Sequence, residues 1–318
     1  MRKKTFLSII IFSLAFISLY FAYFKIKNML SRSEVSFIAK MMEKNKPNMT
    51  IDSFTLQETE GSSLDWTLNA DKAHMFKNKE QIVFESVKTI IFSKETKKEE
   101  YNINSKKGLY NMKEDKISLD EDVLIKTATG YDFLTDKVSY MVKEKRLDSK
   151  SNVSVKGKLG KQGSIKINGK GLNGDLYSGD FGIDTDVFAS VGKQFRIESE
   201  SAIFNTNTSK ARFIKKVSAL KEDLKIKGDE LELQYTSGGE IEEIIVSRNV
   251  RLNIDKKKAL CEKAVISSQE NMVVLTGRPE LHLGRDIMVG ERIVFFTDSD
   301  EVHVEKAKGD VQQGRSKK

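Results

Sequence analysis

One short frame recurs eight times through this 318-residue chain and restricts its fold more than any other feature. Its clearest copy is IKGDELEL, from Ile226 to Leu233. A small residue marks each copy: Ala70, Ser105, Thr135, Gly169, Ser199, Gly228, Cys261 and Gly290. The next residue is always charged: Asp71, Lys106, Asp136, Lys170, Glu200, Asp229, Glu262 and Glu291. Two places before the small residue stand Leu68, Ile103, Phe133, Ile167, Ile197, Ile226, Ala259 and Met288. Five places after it stand Met75, Tyr110, Tyr140, Gly174, Phe204, Leu233, Ile266 and Phe295. Copies lie about 29 to 35 residues apart, the spacing at which self-similarity means one supersecondary unit stacked repeatedly.

Apolar residues at alternate positions put one face of an extended segment against a dry surface, which is the strand period. From the small residue to the next inward one is three positions, so the parity slips once in nearly every copy. A bulge or bend must absorb that slip, and each strand is predicted to bend at its small, charged pair. Turn-rich residues follow: Asn78-Lys79, Glu114-Asp115, Glu144-Lys145, Ser178-Gly179, Asn205 to Thr208, Ser237-Gly238-Gly239, Glu270-Asn271 and Asp298-Ser299-Asp300. A second alternating strand comes after most of them, carrying Val123 and Ile125, Val153 and Val155, Val250 and Leu252, Leu281 and Leu283, or Val302 and Val304. Eight bent hairpins with no helix between them predict an all-β chain: one long antiparallel sheet folded over on itself.

The repeat runs through most of the chain without a Pro- or Ser-rich linker, which fits an elongated single body or two like modules in series. The only prolines, Pro47 and Pro279, fall before the first strand and in a late turn. The net charge is +8, but residues 1–30 hold five basic and no acidic residues, and residues 310–318 three basic and one acidic. The repeat body is therefore near +1, with Lys and Glu interleaved, and lacks the clustered basic stripe of a nucleic-acid surface. The single cysteine, Cys261, excludes an intrachain disulfide and occupies a small position of the frame, so packing is its expected role.

Residues 5–24 carry no charge and follow Arg2, Lys3 and Lys4. That run is long enough to span a bilayer as one N-terminal transmembrane helix within residues 1–30, with the amino terminus cytoplasmic and the bulk of the chain exported. A cleaved signal peptide fits less well, because the run is long and ends in Tyr20, Phe21, Tyr23 and Phe24 rather than a small-residue cleavage site. Residues 31–50 form a stalk or linker, in which Val35, Ile38 and Met42 have helical spacing ahead of Pro47.

Trp66, Leu68, Ala70 and Ala73 resemble the W-x-L-x-A-x-x-A signature of the LptC family, the bitopic component of lipopolysaccharide export. Residues 197–204, residues 224–254 and Leu275-Thr276-Gly277-Arg278-Pro279 resemble the LptA/OstA repeat. The resemblance implies an open β-jellyroll of two sheets meeting in a V, LptC-like over residues 51–194 and LptA/OstA-like over 195–309, with a basic tail at 310–318. It also implies a non-enzymatic component of the export machinery. The partners would be lipopolysaccharide, the inner-membrane ABC transporter subunits, and an LptA-like or LptD-like bridge protein at the C-terminal sheet edge. The chain exceeds a minimal LptC, as an LptC–LptA fusion or an extended LptC would.

Other chemistry finds little support. Gly169-Lys170-Gly171-Leu172-Asn173-Gly174 fits G-x-G-x-x-G, but Asp175 to Gly182 cannot start the helix that a dinucleotide needs. His74, His282 and His303 lack metal spacing, and Asp180, Asp184 and Asp186 lack EF-hand order, so no metal or cofactor is called for. No nucleophile elbow or isolated carboxylate pair points to catalysis. The remaining candidate is the inside of the folded sheet. Its lining would be Leu68, Ile103, Phe133, Ile167, Ile197, Ile226 and Met288, with Tyr110, Tyr140, Phe204, Leu233 and Phe295. The residues alone leave a packed core and a lipid groove equally open. The family resemblance favours the groove, with the small frame residues leaving room for acyl chains; the alternative is a membrane-tethered scaffold that binds only proteins through its sheet edges.

Overall fold

The computed structural model describes residues 37–44, 46–61, 63–159, 163–192, 195–208, 210–235 and 240–307. The chain divides into two units between Asn48 and Met49. In the first, the helical spacing ahead of Pro47 is realised as α1 (Phe37–Lys44). The anchor expected within residues 1–30 lies outside the described residues, and among those described no helix is long and apolar enough to cross a membrane.

The described residues of the second unit form one sheet of twenty strands. The first nine are β1 (Met49–Glu60), β2 (Ser63–Phe76), β3 (Gln81–Phe92), β4 (Glu99–Asn111), β5 (Lys116–Thr127), β6 (Tyr131–Met141), β7 (Arg146–Leu159), β8 (Gly163–Asp175) and β9 (Asp180–Val191). Each pairs antiparallel with its chain neighbours. β10 (Phe195–Ser199) and β11 (Ser201–Asn205) act as one strand interrupted at Glu200, pairing on one side with β9 and on the other with β12 (Lys210–Lys221). β13 (Leu224–Tyr235), β14 (Ile241–Ile254) and β15 (Lys257–Ser267) continue the meander. It then divides: β16 (Met272–Thr276) and β17 (Glu280–Leu283) both pair with β15, β18 (Asp286–Val289) adds to β17, β19 (Arg292–Phe296) adds to β16, and β20 (Val302–Glu305) adds to β19.

The predicted mid-strand bend is present, and its geometry accounts for the frame. Between β4 and β5, Asn104 pairs with Leu124 and Lys107 with Asp120, so the small, charged pair Ser105-Lys106 faces three residues of the return strand. Two of those three, Glu121 and Asp122, have φ of 65° and 55°. The same left-handed pairs occur at Lys215-Lys216, Arg248-Asn249 and Gly277-Arg278, each opposite a frame copy. Consecutive left-handed residues reverse the pleat and turn the strand sharply. The bulges line up and crease the sheet lengthwise into two walls. In each frame strand, residues before the small one belong to the first wall and residues after it to the second.

The crease bears on both invariants of the frame. In five of the eight copies the charged residue meets the bulge of the adjoining strand: Lys106 Nζ lies 2.5 Å from Asp122 Oδ2, Glu200 2.6 Å from Lys216, and Glu291 2.8 Å from Lys306. Asn249 donates to Asp229 at 2.6 Å, and Arg278 reaches Glu262 at 3.5 Å. Such exposed contacts add little stability singly. The small residue sits where the return strand crowds in. A Cβ on Gly169 would stand 2.5 Å from Ile183 Cγ2, on Gly228 2.7 Å from Val246 Cγ1, and on Gly290 2.7 Å from Val304 Cγ1. The room expected there for acyl chains is therefore taken by the protein's own side chains.

Candidate functional site

Each wall carries one row of inward positions in register, filled by side chains at every place except Gly174, where the Phe181 ring takes the space. On the first wall the row begins Leu56, Leu68, Thr89, Ile103, Ile125 and Phe133. It continues through Val155, Ile167, Ala189, Ile197 and Ala219, then Ile226, Leu252, Ala259, Leu281 and Met288. On the second wall it runs from Met75 through Ile82, Tyr110, Ile117, Tyr140, Leu147 and Gly174 to Phe181 and Phe204. It goes on through Ala211, Leu233, Ile244, Ile266 and Val273 to Phe295.

All twelve expected lining residues fall on these two rails. Seven stand on the first (Leu68, Ile103, Phe133, Ile167, Ile197, Ile226 and Met288) and five on the second (Tyr110, Tyr140, Phe204, Leu233 and Phe295). Ten of the twelve are buried; Tyr110 and Met288 are only partly so, Met288 because β18 is a four-residue edge strand. Sequence reasoning missed Thr89 and Phe181, which return strands contribute. The alternation of Phe181 with Ile183 after the Ser178-Gly179 turn was the available signal.

The two rails touch. Phe133 of the first wall lies 4.5 Å from Phe181 and 5.9 Å from Phe204 of the second, between ring centroids. Tyr131 stacks on Phe204 at 6.0 Å, Tyr101 approaches Phe181 at 6.4 Å, and Phe54 stacks on Phe84 at 5.6 Å. The V held open along its length, which the family resemblance implied, is thus closed by aromatic side chains around β4 to β11.

Polar clasps join the walls at the rim. Lys145, in the β6–β7 turn of the second wall, reaches Asp65 of β2 at 2.6 Å with both side chains largely buried. Tyr101 donates to the Leu176 carbonyl at 3.1 Å. Lys221 donates to Ser268 Oγ at 3.2 Å, and Lys257 to the carbonyls of Phe296 and Ser299 at 3.0 and 2.5 Å. Burial raises the Tyr101 and Tyr140 phenols well above the usual range, and burial with a hydrogen bond to the Asp115 carboxylate brings Tyr110 up to about 12. These phenols stay neutral at physiological pH.

The declined chemistry has ordinary structural partners. The glycine run lies inside β8, where Gly171 has φ of 78°, and β9 follows instead of a helix. His74 bridges Thr50 and Glu85, His282 contacts Glu280, and His303 contacts Glu301. Among the described residues no group of acidic, His or Cys side chains is placed to hold a metal.

Residues 9–191, more than half of the chain, match the family described as lipopolysaccharide-assembly, LptC-related. The chain belongs to the LptC-related family. Residues 196–301 of this LptC-family protein match a second family, described as LptA/(LptD N-terminal domain) LPS transport protein. Where the two matches adjoin, β9 pairs directly with β10 and β11, so the sheet does not break. Among solved structures, LptH of Pseudomonas aeruginosa, the LptA homologous periplasmic component of its lipopolysaccharide transport device, is similar at 20% identity with a TM-score of 0.34. That match covers 39% of this chain and 89% of the other. No curated protein sequence matches. Membership involves this LptC-family chain in lipopolysaccharide transport.

Proposed function

We propose that the protein is a non-enzymatic conduit that takes lipopolysaccharide from the inner-membrane ABC transporter and passes it toward the outer membrane. The observation that carries this reading is the pair of apolar rails, one per wall, continuing without interruption across the junction of the LptC-like and LptA-like regions. Residues 1–30 would anchor the chain in the inner membrane, with the bulk of it periplasmic. Residues 51–194 would receive the lipid, and residues 195–309 would carry it on. Acyl chains enter as the walls part, exchanging ring–ring contact for ring–acyl contact, while sugars and phosphates stay in water at the rim. Exchange between similar apolar slots is nearly balanced, each holding the lipid by about 25 cal/mol per Å² buried. ATP hydrolysis in the transporter then supplies direction.

The sheet ends on two short strands, β18 for the first wall and β20 for the second, whose outer backbone edges would accept an LptA-like or LptD-like bridge protein by strand addition. Contact of Phe133 with Phe181 favours a second reading, a tethered scaffold whose filled core never opens. A photo-crosslinking residue at Ile226 or Phe295 distinguishes them. Capture of lipopolysaccharide in cells supports the conduit, and capture of protein alone overturns it.

A further inference from the structure

Thr89 is the one polar member of the first rail, standing on β3 between Leu68 of β2 and Ile103 of β4. Its side chain is 1% exposed, and its hydroxyl has no hydrogen-bond partner. Among the described residues two other buried polar atoms share that condition, Gln81 Oε1 and Tyr235 OH, but they lie at the ends of β3 and β13. Thr89 lies within the wall, among side chains that all point into the slot. An unpaired buried hydroxyl is unfavourable, and valine would fill the same space with the same β-branched shape and no such penalty. Packing therefore gives no reason for the hydroxyl, whereas a ligand bearing an oxygen would.

We propose that Thr89 is a specificity-determining contact of the slot, hydrogen-bonding an acyl chain that carries a hydroxyl group, so that hydroxylated chains are held in preference to plain ones. A hydroxyl both donates and accepts, so it pairs with Thr89 whichever way the threonine hydrogen turns. A plain hydrocarbon leaves Thr89 unpaired, and a site built around a hydrogen bond discriminates against the ligand that lacks it. The proposal rests on the conduit reading and adds to it the kind of chain the slot selects.

Trp66, the chain's only tryptophan, reports on this place: it is buried two residues from Leu68 on β2 and pairs with Ile91, two residues from Thr89. The full chain, held in a nanodisc, is titrated with myristic acid and with its β-hydroxy counterpart while Trp66 fluorescence is followed. The hydroxylated acid should bind about three- to tenfold more tightly, the factor that one net hydrogen bond supplies. Thr89→Val should abolish that preference and raise the thermal midpoint of the free protein, while Thr89→Ser should keep the preference. Equal affinities in the wild type, or a preference surviving in Thr89→Val, would overturn the proposal and leave the conduit standing. No Trp66 response to either acid would overturn both.

Discussion

Phe133 is the place where the closed slot can be tested by a single truncation. Its ring is wholly buried and touches the rings of Phe181 and Phe204 from the opposite wall. Phe133→Ala removes a phenyl from a site framed on both sides by hydrogen-bonded strands, β5 and β7, which cannot collapse to fill the space. Such a truncation costs about 3–5 kcal/mol, transfer and cavity terms together. Of that, the ring pair with Phe181 should account for about 0.5–1.5 kcal/mol, visible as coupling in a double-mutant cycle with Phe181→Ala. Urea unfolding followed through Trp66 gives the stability, and hydrogen exchange in β6 and β9 shows whether the two walls loosen together, as a repeat sheet can open piecewise. If acyl chains occupy this space, the truncated slot should accept them without displacing a ring. Lipid at a hundred times its Kd would then restore about 2.7 kcal/mol. A loss below about 1 kcal/mol, or a loss independent of Phe181, would refute the contact between walls.

Two further outcomes follow from the rim and the crease. Lys145→Met strands the Asp65 carboxylate in a largely buried site and should lower stability by about 1–3 kcal/mol, while Asp65→Asn in the same chain should recover most of it; equal thermal midpoints for the single and double variants would show that the clasp does not hold the walls. Burial pushes the Cys261 thiol from 9.0 up to about 11, so at pH 8 it should react with iodoacetamide about a hundredfold more slowly than in the unfolded chain, and stability should fall as pH climbs from 9 toward 11 because the unfolded thiol ionises first. Equal alkylation rates in urea and in buffer would contradict that burial.

The repeat frame carried much of this architecture in plain view. Side chains alternate every two residues along a strand, and the repeat keeps a constant offset, so residues two before and five after each small position had to fall into two rows. The bend was legible from the same arithmetic, since the three-residue step from Gly228 to Leu231 cannot be absorbed by a flat strand. Chain order supplied the pairing partners, because a meander joins neighbours by short turns.

Other features depended on contacts between residues distant in sequence, and no local pattern encodes them. The left-handed pair Glu121-Asp122 carries no glycine to announce it; it is held by the strand pairing on either side of it and by contacts from Lys106 and Lys107 on the adjoining strand. The small residues of the frame read equally well as room for a ligand or as relief from crowding, and the approach of Ile183 to Gly169 decides for crowding. The angle between the walls, and with it the meeting of Phe133 and Phe181, follows from how every inward side chain packs against the opposite row. Asp65 and Lys145 are eighty residues apart, and only the folded sheet brings them together. Periodicity along the chain determined which residues face inward; packing between the two walls, a three-dimensional sum over distant side chains, decided how closely they meet.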